Sequence, residues 1–156
     1  MAAIPPQLEG FFTRLGPHTA HEWTALPWPG VHNKVLFFDR VSGATMELAR
    51  VEEGAEFPEH YHTTVQTLFL CEGRLRTGSG EVIEPGTFNV IPAGQLHGPF
   101  IAEAESIQLK YFSSTPVYIL RDGTTYIYRQ DGTTIEAGRL EFFAQQDLAN
   151  FISQNG

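Results

Sequence analysis

Short apolar or alternating runs, separated by turn residues, fill the middle of the chain between Val35 and Phe112. The strands that these runs predict are 34–39, 45–51, 65–70, 73–77, 87–91 and 106–112. Glycine and proline residues mark the turns between them, and no helical period lies between successive strands to provide a crossover. The pattern therefore predicts an antiparallel sandwich or barrel.

The N-terminal part of the chain begins with apolar residues at helical spacing and continues with a segment that shows no period. Apolar residues from Leu8 to Leu15 recur at helical spacing and predict a short helix. Residues 17–30 follow neither period and are rich in Pro, His and Trp, which predicts an extended arm. We expect Trp23 and Trp28 in this arm to pack on the body of the protein.

Two similar segments follow the predicted barrel, Tyr118–Thr125 and Tyr126–Thr134, and each contains an Asp-Gly turn signal. They predict successive strands of a hairpin, and apolar residues over 148–152 predict a short C-terminal helix. A chain of 156 residues fits one domain. Its expected parts are an N-terminal arm at 1–30, a motif-bearing barrel at about 35–112 and a C-terminal hairpin and helix extension at 116–156.

Composition narrows the class of partner. The chain has 10 Lys+Arg against 18 Asp+Glu, a net charge of −8, so nucleic acids and anionic membranes would be repelled on average. No apolar run approaches the ~18 residues of a membrane span, and the first residues do not resemble a leader. The single cysteine, Cys71, is expected to be a buried structural thiol. We expect a cytoplasmic protein.

Three of the six histidines carry a spacing typical of metal ligands. His60 and His62 are two apart on a predicted extended segment, so both side chains point to the same face. His97 lies 35 positions after His62, beyond a Pro-Ala-Gly turn, and comes within reach if a hairpin returns to the same interior. Imidazole nitrogens bind iron, zinc, nickel, copper or manganese. The three residues predict a site for one divalent transition metal.

The glycine and proline frame around these histidines resembles the two signature motifs of the cupin superfamily. The motifs read Gly54-x5-His60-x-His62-x3-Gln66-x6-Gly73 and Gly86-x5-Pro92-x-Gly94-x2-His97. The resemblance covers roughly 35–112 and implies an all-β double-stranded β-helix, a cupin jelly-roll barrel that holds one metal ion in its mouth. With the predicted terminal helices, this is the expected fold.

Two residues depart from the family pattern. Gln66 stands where the first motif usually has glutamate, and Ile101 stands where the second usually has asparagine. We therefore expect His60, His62 and His97 as metal ligands, with Gln66 as a fourth ligand, a catalytic neighbour in contact with substrate, or a hydrogen-bonded core residue. Neutral ligands leave a divalent ion with its full charge of +2, which favours an anionic chelating substrate.

The single-domain layout and the His-x-His spacing resemble three-histidine cupins that cleave acetylacetone or dihydroxyacetophenone. This resemblance implies an oxidoreductase, a non-haem Fe(II) dioxygenase that cleaves a C–C bond of a small enolisable diketone or hydroxyketone. Fe(II) is the favoured cofactor, with Zn, Ni or Mn as alternatives. Dioxygen and a small enolisable or anionic molecule are the implied partners.

Two other functions fit the sequence. A metal-dependent isomerase or lyase acting on a sugar or keto acid needs a carboxylate in the cavity, which Glu47, Glu56 or Glu59 could supply. A non-catalytic sensor would resemble the metal-binding cupin half of zinc-dependent anti-sigma factors, although the N-terminal segment is short for a separate sigma-binding domain. A homo-oligomer, either a dimer or a tetramer, is expected in each case, with exchange of the N-terminal arm as one route to a dimer.

Strand parity leaves two assignments of side chains to the cavity wall undecided. On the last predicted barrel strand either Tyr111 or the pair Gln108 and Lys110 faces inward. Arg74 and Arg76 share one face, either as a clamp for an anion or, as we favour, as a solvated outer surface. The residues expected outside the metal site are His18, His21 and His32, and those expected in barrel packing are Phe57, Leu68, Leu70, Phe88 and Phe100.

Overall fold

The computed structural model describes residues 21–139, which form twelve strands and no helix. The helices predicted near residues 8–15 and 148–152 lie outside the described residues. The strands are β1 (Thr24–Ala25), β2 (Val31–Phe38), β3 (Thr45–Val51), β4 (Glu56–Phe57), β5 (His60–Tyr61), β6 (Gln66–Thr77), β7 (Val82–Ile83), β8 (Phe88–Ile91), β9 (Phe100–Phe112), β10 (Val117–Leu120), β11 (Thr124–Tyr128) and β12 (Thr134–Arg139). None of the described residues belongs to a helix that could span a membrane.

The strands form two antiparallel sheets. The larger sheet has the order β1-β2-β3-β9-β6-β7, with β4 paired to β9 and β8 paired to β6. The smaller sheet has the order β12-β11-β10-β5. Buried apolar residues from both sheets meet in one core cluster, so the interior lies between the sheets. This arrangement confirms the predicted antiparallel all-β architecture.

Alternation of side chains along β3 builds one wall of this interior. Every second residue of β3 is buried, and Glu47, Ala49 and Val51 are fully enclosed. Trp28 covers one end of the core, with its ring centroid 4.8 Å from that of Phe57 and 5.5 Å from that of Tyr118. The predicted packing of this arm residue is therefore confirmed.

The strands predicted at 65–70 and 73–77 are one strand, β6. The register against β9 shifts between Leu70 and Leu75, so the strand bends without ending. Gly73 makes the bend, because its φ is +83° and an added Cβ would lie 2.1 Å from the carbonyl oxygen of Glu105. A glycine that signals a turn in the sequence is here a bulge within a strand.

Two expected core residues lie on the surface. Cys71 is exposed, and its thiol lies 3.8 Å from the carbonyl oxygen of Phe69. Phe88 is 62% exposed on the outer side of β8. Both predictions were wrong because side-chain direction alternates, and the buried positions go instead to Leu70 and Ile91.

The extension after the barrel forms the hairpin that the repeated segments predict. Tyr118 pairs with Tyr126 across β10 and β11, and β12 continues the same sheet. Strand β10 also pairs with β5, opposite His60 and Tyr61. The hairpin thus lies directly beside the first two histidines of the motif.

Candidate metal centre

The backbone brings the three motif histidines together. His60 lies on β5, and His97, in the loop after β8, forms a two-hydrogen-bond bridge with it at 3.0 and 3.1 Å. The turn residue Gly94 donates its N–H to the carbonyl oxygen of His62 at 2.8 Å. One ligand atom from each of the three rings lies within 4.8 Å of the others. The structure therefore joins the two motifs at one point.

Hydrogen bonds at Nδ1 fix the tautomer of all three neutral imidazole rings. The Nδ1–H of His60 donates to the carbonyl oxygen of Pro58 at 2.6 Å. His62 and His97 make the equivalent bonds to Val117 and Gln95, both at 2.9 Å. Since Nδ1 carries the proton in each neutral ring, each Nε2 presents a lone pair.

These lone pairs converge in a way that suits a cation. The Nε2 atoms of His60 and His62 are 3.0 Å apart, and two lone pairs at this distance repel rather than bond. The Nε2 of His97 is buried and has no hydrogen-bond partner among residues 21–139. A shared divalent metal satisfies all three nitrogens, so the donor set fits the ion that the sequence predicts.

Burial keeps the imidazoles neutral. It lowers the pKa of His60 and His62 well below the usual value of 6.5, and the charge of neighbouring rings and of Lys110 acts in the same direction. Burial likewise lowers the pKa of His97 to about 4, with a smaller contribution from Lys110. Neutral imidazole is the form that binds metal, so the site needs little deprotonation at neutral pH.

A small cavity adjoins the histidines. The other side chains in its wall are Phe57, Gln66, Leu68, Ile91, Phe100, Gln108 and Lys110. Gln66 is 2% exposed, interacts with the His62 ring, and has an Oε1 without a hydrogen-bond partner among the described residues. The amide therefore lies where the sequence placed it, beside the predicted ligands, and its role as a ligand stays a prediction.

A buried polar cluster shares one residue, Lys110, with the wall of this cavity. We call it the Glu47 cluster, and it consists of Asn33, Glu47, Lys110, Tyr118 and Tyr128. The Tyr128 hydroxyl and the Asn33 amide both donate to Glu47 Oε2, the latter at 3.4 Å. The sequence offered Glu47 and Lys110 as open choices but did not single out Asn33, Tyr118 or Tyr128, because their contacts join strands far apart in sequence. The alternation of β3 was the available signal for Glu47.

Comparison with known proteins now places the chain. Residues 15–114 match the family of ChrR cupin-like domains. The chain belongs to this cupin family. The matched region contains all three histidines and ends before β10, so the hairpin of β10 and β11 lies outside it.

Solved structures show the same fold. An acetylacetone dioxygenase from Acinetobacter johnsonii is 14% identical, with a TM-score of 0.54 over 86% of this chain and 87% of that chain. An RmlC-like cupin from Ralstonia eutropha is 17% identical, with a TM-score of 0.58 over 89% and 83%. A cupin sugar phosphate isomerase from Silicibacter pomeroyi is 18% identical, with a TM-score of 0.52 over 81% and 92%. No curated protein sequence matches. These likenesses confirm the cupin jelly-roll barrel.

Strand parity in the cupin resolves the choices that the sequence left open. Gln108 and Lys110 face inward, whereas Tyr111 is 39% exposed. Arg74 lies on the outer surface, where its Nε is 2.9 Å from a carboxylate oxygen of Glu103, and Arg76 pairs with the same carboxylate. The two arginines are therefore a solvated outer pair, as favoured, and not a clamp in the cavity.

The other titratable candidates lie away from the histidines. Glu56 is exposed, and Glu59 pairs with Arg121 at 2.6 Å. His32 lies 3.7 Å from a carboxylate oxygen of Glu52 on the outer side of β2. His21 is half-buried near the start of the described residues, and His18 lies outside them. Of the carboxylates considered, only Glu47 is enclosed in the barrel interior.

The low histidine pKa values predict acid lability of the metal-free cupin. An unfolded histidine takes up a proton near pH 6.5, whereas folded His97 does so near 4, so the unfolded state binds more protons between these values. Stability is fully present above pH 6.5 and falls as the pH drops. The difference of 6.5 − 4 = 2.5 pKa units corresponds to about 3 kcal/mol from His97 alone by pH 4.

Urea unfolding of the metal-free protein between pH 7.5 and 4.5 measures this dependence. His60 and His62 add to it in the same direction, and Glu47, whose pKa burial raises, opposes it as a single group. The His97→Gln variant is expected to lose part of the slope. A free energy of unfolding that stays constant over this pH range would contradict the buried, neutral state of the rings.

Proposed function

We propose that this cupin is an Fe(II)-dependent dioxygenase that cleaves a C–C bond of a small enolisable 1,3-diketone or hydroxyketone. The observation that carries the proposal is the neutral donor set, in which three convergent Nε2 lone pairs are accompanied by the amide of Gln66. No acidic side chain takes part in this group of ligand atoms among the described residues. The likeness of the fold to an acetylacetone dioxygenase supports the same choice.

Charge explains why a neutral donor set favours this substrate class. Three imidazoles cancel none of the +2 charge of a divalent ion, whereas a carboxylate ligand would cancel half of it. A β-diketone that loses one proton becomes an anionic enolate with two oxygens spaced to chelate. When bound, iron supplies Lewis acidity toward these oxygens and redox chemistry toward dioxygen.

The protein's own residues then select and shield the substrate. The wall residues Phe57, Leu68 and Phe100 are apolar and exclude water from the cavity, which strengthens electrostatic contacts inside it. Gln66 and Gln108 offer amide N–H donors to substrate oxygens. Small enolisable molecules with an apolar edge fit such a wall better than sugars, which present hydroxyls on all sides.

Oxygen uptake tests the proposal. Protein loaded anaerobically with Fe(II) is expected to consume one O2 per molecule of acetylacetone or dihydroxyacetophenone, with both oxygen atoms recovered in the two carbonyl fragments. Metal-free and Zn(II)-loaded protein should consume none. Absence of uptake across a panel of diketones and hydroxyketones, in protein shown to contain one iron per chain, would contradict the proposal.

A second candidate is a metal-dependent isomerase or lyase acting on a sugar or keto acid. The enclosed carboxylate of Glu47 favours it, because its Oε1 is buried without a hydrogen-bond partner among residues 21–139. Since Glu47 does not line the cavity, it would accept a substrate proton through Lys110, which does. The fold likeness to a sugar phosphate isomerase is compatible with it. Deuterium incorporation from solvent into a substrate without O2 would favour this reaction, and retention of metal without any turnover would favour a sensor.

A further inference from the structure

Lys110 places a buried amino group in the wall of the histidine cavity. Burial lowers the pKa of this group, and the nearby Glu47 carboxylate acts to raise it and to keep the charge. Lys110 lies on β9 beside Gln108, is 4% exposed, and lines the same cavity as His60 and His97. Its Nζ lies 4.5 Å from the centroid of the Phe57 ring, and that ring lies 4.9 Å from the ring of His60. Phe57 thus contacts both the ammonium group and a predicted metal ligand.

The counter-charge of Lys110 is a carboxylate on the neighbouring strand β3. Glu47 is directly opposite Lys110 in the register of β3 and β9 and is fully buried. Its Oε2 is held by Tyr128 and Asn33, and Glu47 is not part of the cavity wall. Lys110 therefore lines the cavity, whereas its counter-charge does not.

A stabilising role does not explain this pair. Two charges removed from water cost about as much as their attraction returns, so a buried ion pair rarely outperforms apolar residues of the same volume. The Lys110 charge also acts against protonation of all three histidines, and the same repulsion acts against a metal cation. An anion bound between Lys110 and the metal centre would be attracted by both positive charges and would offset the repulsion between them.

Building on the proposed function, we propose that Lys110 binds a carboxylate carried by the substrate, so that the substrate is a small 2,4-dioxo acid. The two ketone oxygens belong at the histidine centre and the carboxylate belongs at Lys110. The Gln108 amide, in the same wall, supplies an N–H donor for the second carboxylate oxygen. An uncharged diketone would bring no anion to the ammonium group from the cavity side, where Glu47 is not part of the wall.

Two probes that share one skeleton test this assignment. Acetylacetone and 2,4-dioxopentanoate are both five-carbon 1,3-diketones, and they differ only in that a carboxylate replaces one methyl group. Isothermal titration of the Zn(II)-loaded protein is expected to show preference for the dioxo acid by about 10- to 100-fold, the range of a charge-assisted contact. Lys110→Met should bring the two affinities within about twofold of each other, while zinc binding is unchanged or tighter.

Lys34→Met is the matched control. Lys34 is also 4% exposed and lies 4.5 Å over an aromatic ring, that of Trp23, but it faces the side of β2 opposite Asn33. This variant should keep the preference for the dioxo acid. If Lys110→Met does not fold, the Lys110→Met/Glu47→Gln double variant removes both charges and should show the same loss.

Equal affinity of the unaltered protein for both probes would overturn the assignment, as would a preference that persists in the Lys110 variants. The proposed function fails separately. Iron-dependent oxygen uptake with acetylacetone and no probe preference refutes only the carboxylate anchor. Probe preference without oxygen uptake on either diketone refutes the dioxygenase and supports the anchor.

Discussion

Replacement of His62 by alanine is expected to lower the affinity for Zn(II) or Fe(II) by more than about 100-fold, beyond the 10- to 100-fold typical of outer-shell partners. His62 contributes one of three convergent lone pairs, and its ring is held by the Val117 carbonyl. Two imidazoles from His60 and His97 remain, and they cannot offset the lost ligand. Competition against a chromophoric chelator measures the affinity directly.

The control for this variant is His32→Ala. His32 is half-buried on the outer side of β2, outside the cupin motifs, and lies near Glu52. Its removal should leave metal affinity unchanged within about twofold, since it contacts none of the predicted ligands. Equal metal affinity in the His62 and His32 variants would mean that the histidine cluster does not hold the metal.

Conversion of Gln66 to glutamate is the second change with a large expected effect. The buried carboxylate beside His62 restores the acidic position of the family's usual motif and lowers the net charge of the loaded site from +2 to +1. Metal affinity should rise by about tenfold or more. In the metal-free variant the buried carboxylate only costs free energy, whereas in the loaded variant its attraction to the metal ion at about 4 Å exceeds that cost. Enolate binding should weaken by a similar factor.

Gln66→Met is the matched variant for this test, since it removes the amide and adds no charge. Its metal affinity should fall by less than about tenfold if the amide is a neighbour of the metal, and by more if the amide is a ligand. The metal-free Gln66→Glu variant should also unfold at lower urea concentration, because folding must then remove one more carboxylate from water. Unchanged enolate binding in Gln66→Glu would contradict the role given to the neutral donor set.

Much of the barrel could be predicted from the sequence because its strands alternate strongly. Strand β3 has the bounds that the pattern predicted. Strand β9 begins at Phe100, before the predicted start at residue 106, because Phe100 to Glu105 lacks the clear run of β-formers on which the prediction depended. The two-residue strands β4 and β7 were not predicted, since a period cannot be seen over two residues. Their pairing depends on partners elsewhere in the barrel.

The candidate site also has one part that could be predicted from the sequence and one part that could not. The spacing of the cupin motifs placed His60, His62 and His97 together, because fixed turns at Gly94 and its neighbours control how the chain returns. The Glu47 cluster depends on contacts such as that of Tyr128 with Glu47, 81 positions apart in sequence. Such contacts follow from strand order and register, which parity alone leaves undetermined.

Metal content tests the central claim most directly. Protein loaded anaerobically with Fe(II) and freed of unbound ions should contain one iron per chain by elemental analysis, and His62→Ala should contain less than about a tenth of that amount, since two imidazoles bind too weakly to survive removal of free metal. Absence of bound metal in the unaltered protein, or equal content in the variant, would contradict a three-histidine metal centre.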